Sequence, residues 1–193
     1  MQEKEIDLAL ITAVLNGNTA VYSDLVKRHQ RFVFTLALRF TKNREDAEEV
    51  AQDCFIKAYR ALGTFKQTSK FSTWLYTITY TSAMTHLRKK KPETVSLNDD
   101  ENPVQLADPI ADYYSLSAEK KSAYFYLNKA IDTLPPDDAA IITLFYKGEQ
   151  SLEEIGITLS MATNAVKVKL HRARLKLKEK LKDLLQDEVK ELI

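Results

Sequence analysis

Residues 151–174 read Ser151-Leu152-Glu153-Glu154-Ile155-Gly156-Ile157-Thr158-Leu159-Ser160-Met161-Ala162-Thr163-Asn164-Ala165-Val166-Lys167-Val168-Lys169-Leu170-His171-Arg172-Ala173-Arg174. Ser151 with Glu154 three positions later forms a capping box, in which hydroxyl and carboxylate each satisfy a free backbone N–H and start a helix. That helix is short, with Leu152 and Ile155 inward, and a turn around Leu159-Ser160-Met161 ends it. A second helix begins at Ala162 or Thr163 and carries Val166, Leu170, Ala173 and Leu177 at helical spacing. Two helices joined by a tight turn, the second strongly basic, describe a helix-turn-helix. Thr163, Asn164, Lys167, Val168, Lys169, His171, Arg172 and Arg174 are its candidate DNA-facing residues. Those near the start of the second helix reach base edges, and those farther along meet phosphates.

Upstream, Ala123, Leu127, Ala130, Ile131 and Leu134 form one apolar helix face. Pro135-Pro136-Asp137 restarts a helix whose inner face is Ala140, Ile141, Leu144 and Phe145, and Gly148 closes it. Farther upstream, residues 93–119 carry seven acidic side chains and no basic one, with Pro103, Pro109 and several Asn and Asp. No helical period survives there, so the stretch is expected to be a flexible acidic linker. The chain therefore divides into an N-terminal helical domain (1–91), a linker (92–116) and a C-terminal helix-turn-helix domain (117–193), with no fixed relative orientation implied.

In the N-terminal part, Ile6, Leu10, Ala13 and Val14 mark a first helix, and Leu25, Val26, Phe32, Val33, Leu36, Ala37 and Phe40 a second. Asn43 is an N-cap for a third, with Ala47, Val50, Ala51, Cys54, Phe55, Ala58, Tyr59 and Leu62 on its apolar face and Gly63 at its end. Its other face holds Glu45, Asp46, Glu48, Glu49, Gln52 and Asp53. These carboxylates either complement the helix dipole or form a docking surface for a basic partner. A fourth helix with Phe71, Trp74, Leu75, Ile78, Ala83 and Leu87 inward is expected to expose Tyr76, Thr77, Thr79, Tyr80, Thr81, Ser82 and Thr85. It ends in Arg88-Lys89-Lys90-Lys91, and Phe65, Lys66 and Lys70 precede it. Rings interleaved with hydroxyls and cations suit single-stranded nucleic acid, where bases stack and phosphates pair. A core aromatic stripe with a basic helix end reads equally well.

Composition narrows the choice. With 4 Gly and 5 Pro in 193 residues the fold is all-α, since a turn-rich sheet or a glycine phosphate loop needs more. The formal charge of +1 hides two basic blocks around an acidic one: residues 65–92 have six basic and no acidic side chains, and 160–182 have eight basic against Glu179. No apolar run approaches the ~18 residues of a membrane span. No basic-then-apolar leader opens the chain, so a cytoplasmic protein is expected. Cys54 is the single cysteine and lies on an apolar helix face as a small core residue. His29, His86 and His171 are dispersed. Neither a metal site, a cofactor nor a catalytic residue is implied, and no enzyme is expected.

Two blocks carry a family resemblance. Residues 39–59, from Arg39-Phe40-Thr41-Lys42-Asn43-Arg44-Glu45-Asp46 to Lys57-Ala58-Tyr59, with Phe71-Ser72-Thr73-Trp74-Leu75-Tyr76, resemble region 2 of the bacterial extracytoplasmic-function (group IV) sigma factors of the sigma-70 family. Leu134-Pro135-Pro136, the Ser151–Ile155 box and Val166–Arg174 resemble their region 4, in matching order over residues 5–182. The resemblance implies an alternative sigma factor that binds core RNA polymerase, directs it to promoters and assists their opening. It implies docking on the polymerase clamp helices through Asp46, Glu49, Gln52 and Asp53. It assigns minus-ten strand binding and melting to Phe65, Lys66, Lys70, Trp74, Tyr76, Thr77, Tyr80, Thr81 and Arg88. Minus-thirty-five duplex binding falls to the helix-turn-helix, whose domain also touches the polymerase flap. An anti-sigma factor is the implied inhibitory partner, and no direct membrane insertion is implied. Thr77, Tyr80 and Thr81 stand where the family usually has basic residues and an asparagine, so the minus-ten preference does not transfer. The residues by themselves also fit a stand-alone helix-turn-helix regulator or a helical adaptor.

Overall fold

Helix boundaries fall where the local caps put them. The computed structural model describes residues 2–90 and 118–191, and among these every regular element is helical. The helices are α1 (Gln2–Leu15), α2 (Tyr22–Thr41), α3 (Arg44–Ala61), α4 (Phe71–Lys90), α5 (Ala118–Asp132), α6 (Pro136–Tyr146), α7 (Leu152–Leu159) and α8 (Thr163–Glu191), with single 3₁₀ turns at Thr19–Val21 and Leu62–Thr64. Asn43 caps α3 by accepting a hydrogen bond from the Asp46 N–H, as its position predicts. Pro136 opens α6 at a position where the missing N–H costs nothing. The expected linker, 92–116, lies outside the described residues.

Helices α1–α4 form one group and α5–α8 the other. In the first, α2, α3 and α4 pack mutually, and α1 lies across α2. The core between them holds Leu25, Val33, Leu36, Phe40, Val50, Cys54, Ala58, Leu75 and Ala83. In the second group, α8 packs against α5, α6 and α7 over Ile131, Ile141, Leu144, Ile155, Val166 and Leu170. The groups also meet each other, α2 against α6 and α4 against α7. A Cβ at Gly148 would lie 2.8 Å from Cζ of Phe32, so glycine is what lets the end of α6 approach α2.

Expectations about helix faces change on several helices: Tyr59 of α3 and Ala123 and Leu127 of α5, expected on apolar faces, are exposed, Leu127 lining a groove instead of the core. Ile6 is exposed, while its neighbour Asp7 is buried and takes a 2.9 Å hydrogen bond from Arg28 and a 3.1 Å contact with His29. A charged pairing, which an apolar period cannot reveal, sets the rotation of α1. On α4, Tyr76, Thr79 and Ser82 are buried rather than exposed. The reason is that α4 is packed on several sides, by α1, α2, α3 and α7. Its buried hydroxyls are satisfied: Thr79 donates to the Leu75 carbonyl at 3.0 Å, and Ser82 accepts from Lys57 at 3.0 Å.

Burial pushes the Cys54 thiol up to about 12, with the Thr79 hydroxyl 3.2 Å away opposing the shift. Native protein at neutral pH is therefore expected to leave Cys54 unmodified by a thiol-specific aromatic disulfide and to titrate one thiol in urea. Fast modification of the native chain would contradict the packing. Burial by itself would raise the Asp7 carboxyl, but the His29 and Arg28 contacts outweigh it and hold the group below its ordinary value. A lowered acid contributes stability that is complete above the unfolded value and lost as pH falls through the folded one. Asp7→Asn is expected to cost about 1–3 kcal/mol at neutral pH by urea unfolding, with the gap to wild type closing below about pH 4.

Candidate functional site

The helix-turn-helix is α7, the turn at Ser160–Ala162 and α8. Ser151 accepts from the Glu154 N–H at 3.2 Å, and the Glu154 carboxylate accepts from the Ser151 N–H at 2.9 Å, completing the capping box. Ser160 closes α7 in the left-handed region at φ 54°, a position where glycine is the unstrained choice. The glycine of this unit is instead Gly156, where a Cβ would meet the Met161 carbonyl at 2.7 Å as the chain folds back. Ile155, Leu159, Val166 and Leu170 lock the two helices together.

Along α8 the predicted contacts separate into two sets. Asn164, Lys167, His171 and Arg172 are exposed at helical spacing, with exposed Val168 and Leu175 among them, and Thr163 is half-buried at the helix start. The cations Lys167 and Arg172 form no ion pair among the described residues. Lys169 is instead paired with Asp137 of α6 at 2.6 Å. Arg174 lies over the rings of Phe145 and Tyr146, 5.0 and 5.4 Å from their centroids. The free row of donors and cations, with apolar Val168 able to meet a thymine methyl, is chemically suited to a major groove.

The acidic face of α3 is likewise divided. Glu49 and Gln52 are exposed, and Asp53 pairs with Lys57 at 2.5 Å one turn on. Asp46 is mostly covered, 2.6 Å from Lys90 and 3.2 Å from His86 of α4. Burial acts to raise its carboxyl, but those two partners prevail and lower it, so it stays anionic. Ile56 is 50% exposed one turn beyond Gln52. Position-by-position reading overlooked it, although it falls off the buried 47/50/54/58 stripe and on the same side as Glu49 and Gln52.

The expected single-strand platform is mostly internal. Tyr76 is buried and stacks on Phe32 at 4.4 Å, so it is withdrawn from the surface. Phe65, Phe71 and Trp74 pack on one another at 5.4–5.7 Å, and Tyr80 packs on Phe40 at 5.4 Å. Thr77 and Thr81 donate to the carbonyls of Thr73 and Thr77, one helical turn back. Lys66 and Arg88 remain exposed, and Lys70 is exposed but lies 3.5 Å from Glu154 of α7. Phe65 and Trp74 keep partly exposed edges beside Lys66.

A feature absent from the motif reading lies between α5, α6 and α8. It is a groove of about 1050 Å³ lined by Leu127, Ile131, Ile142, Tyr146, Leu177 and Leu181, with Lys147, Arg174, Lys178 and Lys182 at its edges. The stripe Leu177, Leu181, Leu185 continues α8 beyond the helix-turn-helix and was its only signal in the sequence. Among the described residues there is no group of three His, Cys, Asp or Glu side chains placed to hold a metal, and no helix long and apolar enough to cross a membrane.

With this geometry in hand, comparisons with known proteins converge. The profile of sigma-70 region 2 matches residues 25–93, and that of sigma-70 region 4 matches residues 124–177. The ECF RNA polymerase sigma factor SigW of Bacillus subtilis is 32% identical over 181 residues, which cover 90% of this chain and 96% of SigW. Two solved structures share the fold. The sigma factor RpoE of Bartonella quintana, in complex with the anti-sigma factor NepR, superposes with a TM-score of 0.61 at 20% identity over 83% of this chain and 96% of its own. CnrH, in complex with the cytosolic domain of CnrY, gives 0.60 at 22% identity over 91% of this chain and 96% of its own. The all-helical pair of groups, the helix-turn-helix and these matches make one conclusion: the chain belongs to the extracytoplasmic-function (group IV) sigma factors of the sigma-70 family, alternative sigma factors that direct RNA polymerase to promoters and are not themselves enzymes.

Proposed function

We propose that the chain attaches to core polymerase through the exposed side of α3 and reads promoter DNA with α8, the two tasks belonging to an N-terminal unit of residues 1–91 and a C-terminal unit of residues 117–193. The observation that carries this reading is the row Asn164, Lys167, His171 and Arg172, presented on the second helix of a helix-turn-helix and uncommitted to the protein's own acids. Asn164, nearest the helix start, is placed for a base edge, and Lys167 and Arg172 for bases or phosphates. Lys169 and Arg174 act from behind, tying α8 to α6. On α3, Glu49, Gln52 and Ile56 make a mixed acidic and apolar patch for the clamp helices. Asp53 flanks that patch, and Asp46 is held in place by His86 and Lys90.

For strand opening, Lys66, Lys70 and Arg88 meet phosphates, and the partly exposed edges of Phe65 and Trp74 meet an unstacked base. Thr77, Tyr80 and Thr81 shape the adjoining wall, and Tyr76 supports it from inside. The groove between α5, α6 and α8 fits an amphipathic helix with acidic flanks, supplied by the polymerase flap or by an anti-sigma factor. The complex of RpoE with the anti-sigma factor NepR supports an anti-sigma partner. The work is done in the cytoplasm, where core polymerase and chromosome are.

The deciding experiment is transcription by purified bacterial core polymerase on pooled fragments of the source genome, with and without this protein, mapping RNA 5′ ends. New starts sharing two spaced upstream elements are expected. Their absence alongside an active control sigma factor would overturn the proposal. Arg172→Ala is expected to weaken binding of the polymerase complex to those promoters by about 1–3 kcal/mol if it contacts a base, or to reduce the logarithmic salt slope by about 1 if it contacts a phosphate. Glu49→Arg combined with Ile56→Ala should raise the dissociation constant for core polymerase at least tenfold, about 1.4 kcal/mol, by fluorescence anisotropy.

A further inference from the structure

Leu127, Tyr146 and Leu185 come from three different helices and are 39%, 56% and 45% exposed, yet all three line the groove between α5, α6 and α8. Large apolar side chains gathered in one concave place mark a binding site. Along α8 the groove runs from Arg174 to Gln186, about 18 Å at the helical rise, and its volume of about 1050 Å³ is ample for a small ligand. Its polar groups are already satisfied by the protein. Thr143 donates to the Ala139 carbonyl at 2.8 Å, Asn128 to the Tyr124 carbonyl at 2.9 Å, and Lys147 to the Tyr124 hydroxyl at 3.0 Å. An occupant therefore needs an apolar body with few hydrogen-bonding groups along it.

The edge of the groove has one sign. Lys147, Arg174, Lys178 and Lys182 line it and no carboxylate does, Glu179 and Asp183 of the same helix included. Arg174 lies over Phe145 and Tyr146, but Lys178 and Lys182 are exposed, stand one helical turn apart and form no ion pair among the described residues. Like charges at that spacing repel, and an anion seated between them relieves the repulsion. The same repulsion argues against a second copy of this face, which would bring its own lysines to the contact.

We propose that the groove binds one long-chain anionic amphiphile of the fatty-acid class, its acyl chain over Leu127, Leu181 and Leu185 and its acidic head between Lys178 and Lys182. Affinity comes from the chain, because each methylene taken out of water strengthens binding, and the two lysines select an acidic head. Neither feature suffices alone: an apolar trough accepts a chain with any head, and exposed lysines hold a small anion weakly. A filled groove is closed to the amphipathic helix of the proposed function, so the amphiphile would compete with that helix; this consequence, and not the site, rests on that reading.

The test is titration calorimetry of the full chain, without polymerase, against monomeric dodecanoate, decanoate and dodecyltrimethylammonium. One dodecanoate per chain is expected, with binding about fourfold weaker for each methylene removed. The cationic probe, which has the same chain, should bind at least tenfold more weakly. Lys178→Gln with Lys182→Gln should weaken dodecanoate at least fivefold and narrow its advantage over the cation. Leu127→Gln with Leu185→Gln should weaken both probes, at unchanged helical circular dichroism. No saturable binding, or equal binding by the lysine variant, would overturn the site. Loss of helicity on adding dodecanoate would also overturn it, as detergent unfolding. Binding to phosphatidylglycerol vesicles without binding of dodecanoate would assign the lysines to a membrane surface instead. A dimer in sedimentation velocity that the leucine variant dissolves would give the groove to a second copy. If the leucine variant loses helicity, the lysine variant, made on exposed side chains, decides the matter. Failure of promoter-directed transcription refutes the proposed function, while the calorimetry still judges this site.

Discussion

The structure depends on helix α4 being buried from several sides. A helix touched by α1, α2, α3 and α7 has no solvent stripe of ordinary width, so polar side chains must go inside with it. The chain meets this constraint with hydroxyls, which satisfy themselves on the preceding turn or on one neighbour. Thr79 bonds back to Leu75 and Thr73 reaches Glu154, while Ser82 takes the Lys57 ammonium. Each is small enough to fit a packed core and polar enough to link one helix to the next. The same residues explain why the rings of α4 are interior: with hydroxyls turned toward neighbouring helices, Tyr76 and Tyr80 pack on Phe32 and Phe40 of α2.

Charge in this protein is divided between structural and presented groups. Asp7 anchors α1, Asp46 anchors the basic end of α4, and Asp137 and Asp138 hold Lys169 and Lys176 of α8. Within the helix-turn-helix, what remains uncommitted on α8 is a narrower row than the sequence count suggests, beginning at Asn164 and running through Arg172. Pairing of Lys169 and Lys176 leaves Lys167 and Arg172 as the cations of that row, while Lys178 and Lys182 stand apart beside the groove. The exposed residues on α3 are narrowed in the same way: Gln52 and Ile56 stand free and exposed Glu49 lies 3.7 Å from His86, beside two carboxylates that already have cations.

The contact between the helical groups is part of the core, since one buried hydrophobic cluster runs through both groups. Within that apolar contact, a buried guanidinium links α2 to α5 and a shared carboxylate links α4 to α7. Burial pushes the Asp132 carboxyl up even though Arg39 and Lys42 pull it down, so this ion pair forms against a desolvation cost.

The linear sequence determined what depends on neighbours within about one helical turn. The Asn43 cap, the Pro136 start, the Ser151–Glu154 box and the inward faces of α2, α3 and α8 follow from spacing, because helix formation and capping are local. Those same signals, with the order of the two blocks, carried the family. Tertiary structure decided what depends on residues far apart in the chain. The period of α1 placed Ile6 inside, but the Asp7 contacts with Arg28 and His29 rotated it out. Tyr76, Thr79 and Ser82 seemed surface residues because each of the helices that cover them is distant in sequence. The groove of α5, α6 and α8 and the junction at Arg39 are likewise invisible in one dimension: each is made by side chains that only packing brings within a few ångströms.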